Sequence, residues 1–139
     1  MRLNDIPLTG KIDRLHLDQA AKTITIYDYK TGPAHSRWVS DSRLHHYKLQ
    51  LYFYKLLVQN ATAFRGYRVE QGVVEFVEPD DNGRIHHLPL DYTAKDQAVA
   101  EQLILAVWRR MHNLELPDSS SYDASLSGIK QFEADLISD

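Results

Sequence analysis

Asp28 and Lys30 stand one residue apart at the end of the β-type run Thr23-Ile24-Thr25-Ile26-Tyr27. Residues two apart on a strand point to the same face, so a carboxylate and an ammonium emerge side by side. A second carboxylate, Asp13, lies fifteen positions upstream in Gly10-Lys11-Ile12-Asp13-Arg14. Two acids and a lysine on neighbouring strands can hold a divalent cation beside a phosphate. That is the chemistry of metal-dependent phosphodiester cleavage. A hard cation such as Mg²⁺ or Mn²⁺ takes oxygen ligands and keeps several waters. Asp13, Asp28 and the backbone carbonyl of Tyr29 are the candidate ligands, and Lys30 would add fixed positive charge near the phosphate or help orient the nucleophile. Taken alone, an Asp-x-Lys pair is most often a surface ion pair.

The elements that must position these groups follow from the pattern. Leu8 to Leu17 alternates imperfectly and reads as a first strand, with Asp18-Gln19-Ala20-Ala21-Lys22 as a turn. Thr23 to Tyr29 is rich in β-branched and aromatic residues and reads as its antiparallel partner. Thr31-Gly32-Pro33 breaks that strand. Tyr47, Leu51, Tyr54 and Val58 then recur at helical spacing, as do Gln50, Phe53 and Leu57, which predicts a helix over 42–59. Val69 to Val77 and Arg84 to Leu90 read as a hairpin across Pro79-Asp80-Asp81-Asn82-Gly83. Thr93 is placed to cap a helix carrying Val99, Leu103, Ala106, Val107 and Met111, expected to end near Leu116-Pro117. Trp108 and Met111 are expected in the core or at an interface. A last short helix carries Ile129, Phe132 and Leu136. Strands alternating with helices in this order predict an α/β sheet with helices packed on it.

Composition narrows the chemistry further. The 139 residues are enough for one domain, with 43% hydrophobic and 25% charged residues. There is no cysteine, which excludes disulfides, zinc–thiolate sites, iron–sulfur clusters and a cysteine nucleophile. No apolar run approaches the roughly 18 residues that span a bilayer, and the first residues do not form an apolar signal stretch, so the expected location is cytoplasmic. The net charge of −3 hides an asymmetry. Residues 1–65 hold ten Lys/Arg against five Asp/Glu, whereas residues 66–139 hold six against fourteen. The carboxylate–lysine cluster therefore sits in the half that attracts a polyanion.

Gly10-Lys11-Ile12-Asp13-Arg14, then Tyr27-Asp28-Tyr29-Lys30-Thr31-Gly32, then Gln50-Leu51-Tyr52-Phe53-Tyr54 resembles the PD-(D/E)XK nuclease superfamily. Within it, the match is to the RecB-like branch, often fused behind UvrD/Rep-type helicases. The resemblance implies a restriction-endonuclease-like mixed sheet flanked by helices and a DNA exonuclease site using Mg²⁺ or Mn²⁺. It also implies a helicase domain in the same polypeptide or complex, and work in recombination or repair. Asp13 and Asp28 match the family's two strand-borne acids, and Lys30 its lysine. Gln50 and Tyr54 match a Q-x3-Y helix motif that supports the site and contacts nucleic acid; a spacing of four does put both on one helix face.

Many relatives contribute a histidine or glutamate from a helix upstream of the first acid. Only Met1 to Pro7 precede the strand here, so the expectation is an N-terminally truncated domain over 1–139, lacking the fold's first helix and weak or inactive alone. His35 is a candidate replacement ligand, although loop and surface histidines such as His35, His45 and His46 are more often solvated. Arg14, Arg37, Arg43, Lys48 and Lys55 are candidate phosphate contacts, and each is also an ordinary surface charge. Trp38 is read as packing beneath its loop rather than stacking on a base. The alternative to an exonuclease is a catalytically silent module of the same fold that binds DNA or braces a helicase. A sequence-specific endonuclease ranks last, because no segment declares a recognition element.

Overall fold

The computed structural model describes residues 2–3, 5–115 and 117–138. Two short strands, β1 (Arg2–Leu3) and β2 (Ile6–Pro7), pair antiparallel at the start. The main sheet is built from β3 (Arg14–Asp18), β4 (Thr23–Lys30), β5 (Arg68–Phe76) and β6 (His86–Asp91), in the order β3-β4-β5-β6. β3 and β4 form an antiparallel hairpin, and so do β5 and β6, while β4 and β5 run parallel. A parallel pair needs a long crossover, and α1 (Ser42–Gln59) supplies it. Two further helices follow, α2 (Ala94–Asn113) and α3 (Leu126–Ile137). The fold is thus an α/β mixed sheet with helices, as the sequence predicts.

The first strand is shorter than expected. Residues 8–13 stay irregular, and β3 begins only at Arg14, opposite Tyr27. Asp13 therefore lies in the bend just before the strand rather than within it. The helix over 42–59 forms where its period and its cap place it. Asp41 is extended and its carboxylate accepts the amides of Arg43 and Leu44 at 2.9 and 3.1 Å. Leu44, Tyr47, Leu51, Tyr52, Tyr54, Leu56 and Val58 are all buried, on more than one side of the helix. The reason is tertiary: α1 lies on β4 and β5, and α2 and α3 pack against it as well.

α1 sits close over the sheet because Gly72 of β5 lets it. A Cβ there would meet the Tyr92 hydroxyl at 2.6 Å and both Leu51 methyls at 3.2 Å. The Tyr92 hydroxyl in turn donates to the Leu51 carbonyl at 2.9 Å, and the Tyr52 hydroxyl accepts the Thr93 amide at 2.9 Å. Two tyrosines thereby lock the register of α1 against the sheet. Full burial of a side chain such as Leu51 contributes about 1.5–3 kcal/mol, so this seam anchors the helix. On β4, Ile24, Ile26 and Asp28 are buried on the α1 side, whereas Thr25, Tyr27 and Tyr29 alternate to the other.

α2 corrects the expectation made for its apolar residues. Only Ala100 and Ala106 are buried, Val99 and Met111 are exposed, and Trp108 is half-buried. Helical spacing defines a face but not what covers it. The helix stops at Asn113, before the expected 116–117, because Leu114 adopts a left-handed backbone (φ 57°) that ends the ladder. Trp38 packs as expected: its indole N–H donates to the Pro89 carbonyl at 2.7 Å and its ring joins the edge of the core. No helix among the described residues is long and apolar enough to cross a membrane.

Candidate active site

Among the described residues Asp28 is the one acidic side chain in the buried core, at 2% exposure. The alternation that buries Ile24 and Ile26 carries it under α1. Lys30, next on the same face, places Nζ 3.0 Å from Asp28 Oδ2. That contact is a buried ion pair at hydrogen-bond distance, and among the described residues no other hydrogen-bond partner reaches Oδ2. Burial pushes the Asp28 carboxyl above the usual carboxylate range; the Lys30 ammonium pulls it back, and the nearby Asp13 carboxylate adds to the rise.

α1 holds the lysine from above. Lys30 Nζ donates to Gln50 Oε1 at 2.7 Å, and Gln50 Nε2 donates to the Tyr54 hydroxyl at 2.7 Å. The Tyr54 oxygen is an acceptor here, so its own O–H remains for another partner. Burial raises the Tyr54 phenol above its ordinary value, Gln50 opposes the rise, and the charges of Asp28 and Asp13 reinforce it. The phenol therefore stays protonated at neutral pH. The Tyr47 ring centroid lies 4.8 Å from Lys30 Nζ. The sequence reading missed this contact, since the period of α1 marks Tyr47 as core; its i,i+3 spacing to Gln50 was the available signal.

Asp13 joins the cluster through the backbone. Its Oδ2 accepts the Tyr29 amide at 2.8 Å, just past the last β3–β4 pair at Arg14 and Tyr27. The N–H and C=O of one strand residue face the same side of the strand. The Tyr29 carbonyl consequently faces the open edge where Asp13 sits, while the Lys30 carbonyl turns to β5 and accepts the Val77 amide at 3.0 Å.

The other candidates fall elsewhere. The Arg14 guanidinium lies 3.8 Å from the Tyr27 ring centroid, on the strand face opposite Asp28 and Lys30. Arg43 does reach the site's rim, its Nη1 within 3.9 Å of where a Gly32 Cβ would stand, two residues beyond Lys30. Lys48 pairs with Asp96 at 2.9 Å, and Lys55 bonds Gln97, so both are engaged with α2. His45 contacts both Glu133 oxygens at 2.9–3.0 Å, tying α1 to α3. His35 lies against Phe76, with ring centroids 6.1 Å apart. His86 and His87 pair with Asp80 and Glu75 on the remote hairpin.

The donor set fits a hard divalent cation. The buried Asp28 carboxylate, the exposed Asp13 carboxylate and the edge-facing Tyr29 carbonyl all offer oxygens. Among the described residues no group of three or more Asp, Glu or His side chains converges. Such a set suits an ion that keeps much of its water, as Mg²⁺ does, and not one that needs a closed cage.

The fold thus brings Asp28 and Lys30 at the end of β4 together with Asp13 from the bend before β3 and with Gln50 and Tyr54 of the crossover helix. A model of the PD-(D/E)XK nuclease superfamily matches residues 2–123. The chain belongs to that superfamily. No curated protein and no solved structure gives a significant match.

Proposed function

We propose that this domain hydrolyses DNA phosphodiester bonds with Mg²⁺ or Mn²⁺, working from strand ends as an exonuclease. The observation that carries the reading is the buried Asp28 carboxylate, ion-paired at 3.0 Å with a lysine of the same strand that Gln50 of α1 holds in place. Burying a carboxylate in the core costs folding energy even when an ammonium pairs with it, and a function at that point explains the cost.

Asp13, Asp28 and the Tyr29 carbonyl are the residues that would hold the cation. Bound there, it would supply an acidified water and offset charge on the phosphate. Lys30 contributes a donor aimed at the phosphate or the nucleophile, and Gln50 keeps that donor in place. The Tyr54 O–H is a further donor for a phosphate oxygen. The Tyr29 amide fixes one Asp13 oxygen and so orients the other. Arg43, at the rim, is suited to the adjoining backbone phosphate, and Arg14 to a more distant one. A helicase in the same polypeptide or complex, and work in recombination or repair, come to this chain from its RecB-like motifs.

The test is cleavage of end-labelled single- and double-stranded DNA with Mn²⁺, comparing the protein with Lys30→Ala. Stepwise products from wild type and none from the variant are expected. Cleavage that persists unchanged in Lys30→Ala would sink the site assignment, and a wild type that binds DNA in Mn²⁺ without cutting it would favour the silent DNA-binding module.

A further inference from the structure

We infer that Tyr47 is a positioning residue for Lys30, its aromatic face acting as the third wall of a clamp around the ammonium. The inference rests on the nuclease reading for its consequence, though not for its geometry. Lys30 Nζ has Gln50 Oε1 at 2.7 Å, Asp28 Oδ2 at 3.0 Å and the Tyr47 ring centroid at 4.8 Å. Tyr47 is 8% exposed, so its ring is held by the core and does not swing away.

An ammonium has three N–H groups. Gln50 accepts one, Asp28 attracts another by charge, and one is left for a phosphate or a water. What fills the remaining side decides whether that last donor stays aimed. A carboxylate would neutralise the lysine and compete with the phosphate. An aliphatic side chain would strip water from the ammonium and return nothing. An aromatic face attracts the cation through its quadrupole and accepts no strong hydrogen bond. Tyr47 therefore restricts the rotamers of Lys30 and leaves its third proton available. Tyr47, Gln50 and Tyr54 sit at i, i+3 and i+7, one stripe of α1, so a single rigid element sets the clamp.

The decisive measurement is the ¹H–¹³C spectrum of metal-free protein labelled with ¹³C-lysine, with the Lys30 ε-methylene signal assigned by its loss in Lys30→Ala. A ring beside Nζ moves that signal upfield of free lysine, as is also expected for Lys22 and Lys55, whose Nζ atoms lie 5.0 and 4.9 Å from the Tyr67 and Tyr92 ring centroids. Tyr47→Phe keeps the shift and Tyr47→Leu removes it. In cleavage assays Tyr47→Leu is expected to lower kcat roughly tenfold with KM for DNA and Mn²⁺ affinity within about twofold, and Tyr47→Phe to restore it. An unshifted Lys30 signal in the wild type overturns the inference, and this needs no variant to fold. So does a folded Tyr47→Leu protein with wild-type kcat, or a Tyr47→Phe protein as slow as Tyr47→Leu. A wild type that cleaves nothing counts against the nuclease reading alone, and the Lys30 signal still decides the clamp.

Discussion

The Asp13 carboxylate accepts the Tyr29 amide at 2.8 Å, so an acid outside the sheet is tied to the strand that carries Asp28 and Lys30. The bond does two things at once. It satisfies an edge amide that β3 begins too late to pair, and it holds the carboxylate near Asp28. Asp13→Asn keeps an acceptor for Tyr29 and removes the charge, whereas Asp13→Ala removes both. Mn²⁺ affinity should fall at least about tenfold in either variant. The fold should loosen only in the alanine variant, seen as faster exchange of the Tyr29 amide. Equal Mn²⁺ affinity in all three proteins would remove Asp13 from the ligand set.

Asp28 sets stability against function. Its carboxyl is pushed up chiefly by burial, with the Lys30 ammonium opposing. An acid whose folded pKa is raised penalises the native state at pH values above that pKa. The penalty fades as pH falls and is gone below the unfolded value of 3.8. Asp28→Asn should therefore raise the Tm of metal-free protein by about 2–5 °C at pH 7. The gap between variant and wild type should narrow toward pH 4. Mn²⁺ should raise the wild-type Tm and leave the variant unmoved. A variant less stable than wild type at pH 7 would show that the Lys30 pairing outweighs burial.

Gln50 links Lys30 to Tyr54 through one amide group. Gln50→Ala frees the ammonium on one side and should cut kcat by roughly 10–100-fold while Mn²⁺ binding stays near wild type. Tyr54→Phe leaves the lysine contact in place and should cost less, roughly tenfold or below. Single-turnover cleavage beside Mn²⁺ titration separates the two. A larger loss in Tyr54→Phe than in Gln50→Ala would make the phenol O–H the more important donor.

Gly72 is required by close approach. Gly72→Ala drives a Cβ into the Tyr92 hydroxyl and the Leu51 methyls, and should destabilise by about 1–3 kcal/mol in urea unfolding. Adding Tyr92→Phe removes the nearest atom at the cost of the bond to the Leu51 carbonyl. The double variant should recover part of the loss. Simple additivity of the two changes would mean that the hydroxyl is not what the new methyl meets.

The site's chemistry was legible in the sequence because it is local. Asp28 and Lys30 share a face through strand alternation, and Gln50 and Tyr54 through helical spacing. None of these depends on distant residues. What lay beyond reach was set by partners far along the chain. Leu8 to Ile12 has a weak strand pattern, but a strand needs a neighbour, and the β4 pairing starts only at Arg14. Val99 and Met111 lie on an apolar stripe that nothing among the described residues covers fully. Arg14 follows Asp13 directly, yet its side chain turns to the far face of the sheet and stacks on Tyr27. Tyr47 carries the same periodic signature as Leu51, and only the approach of β4 to α1 puts an ammonium against one and apolar atoms against the other. Sequence determines which groups a short element presents. Tertiary packing decides what each of them meets, because contact energy depends on distances that no local pattern encodes.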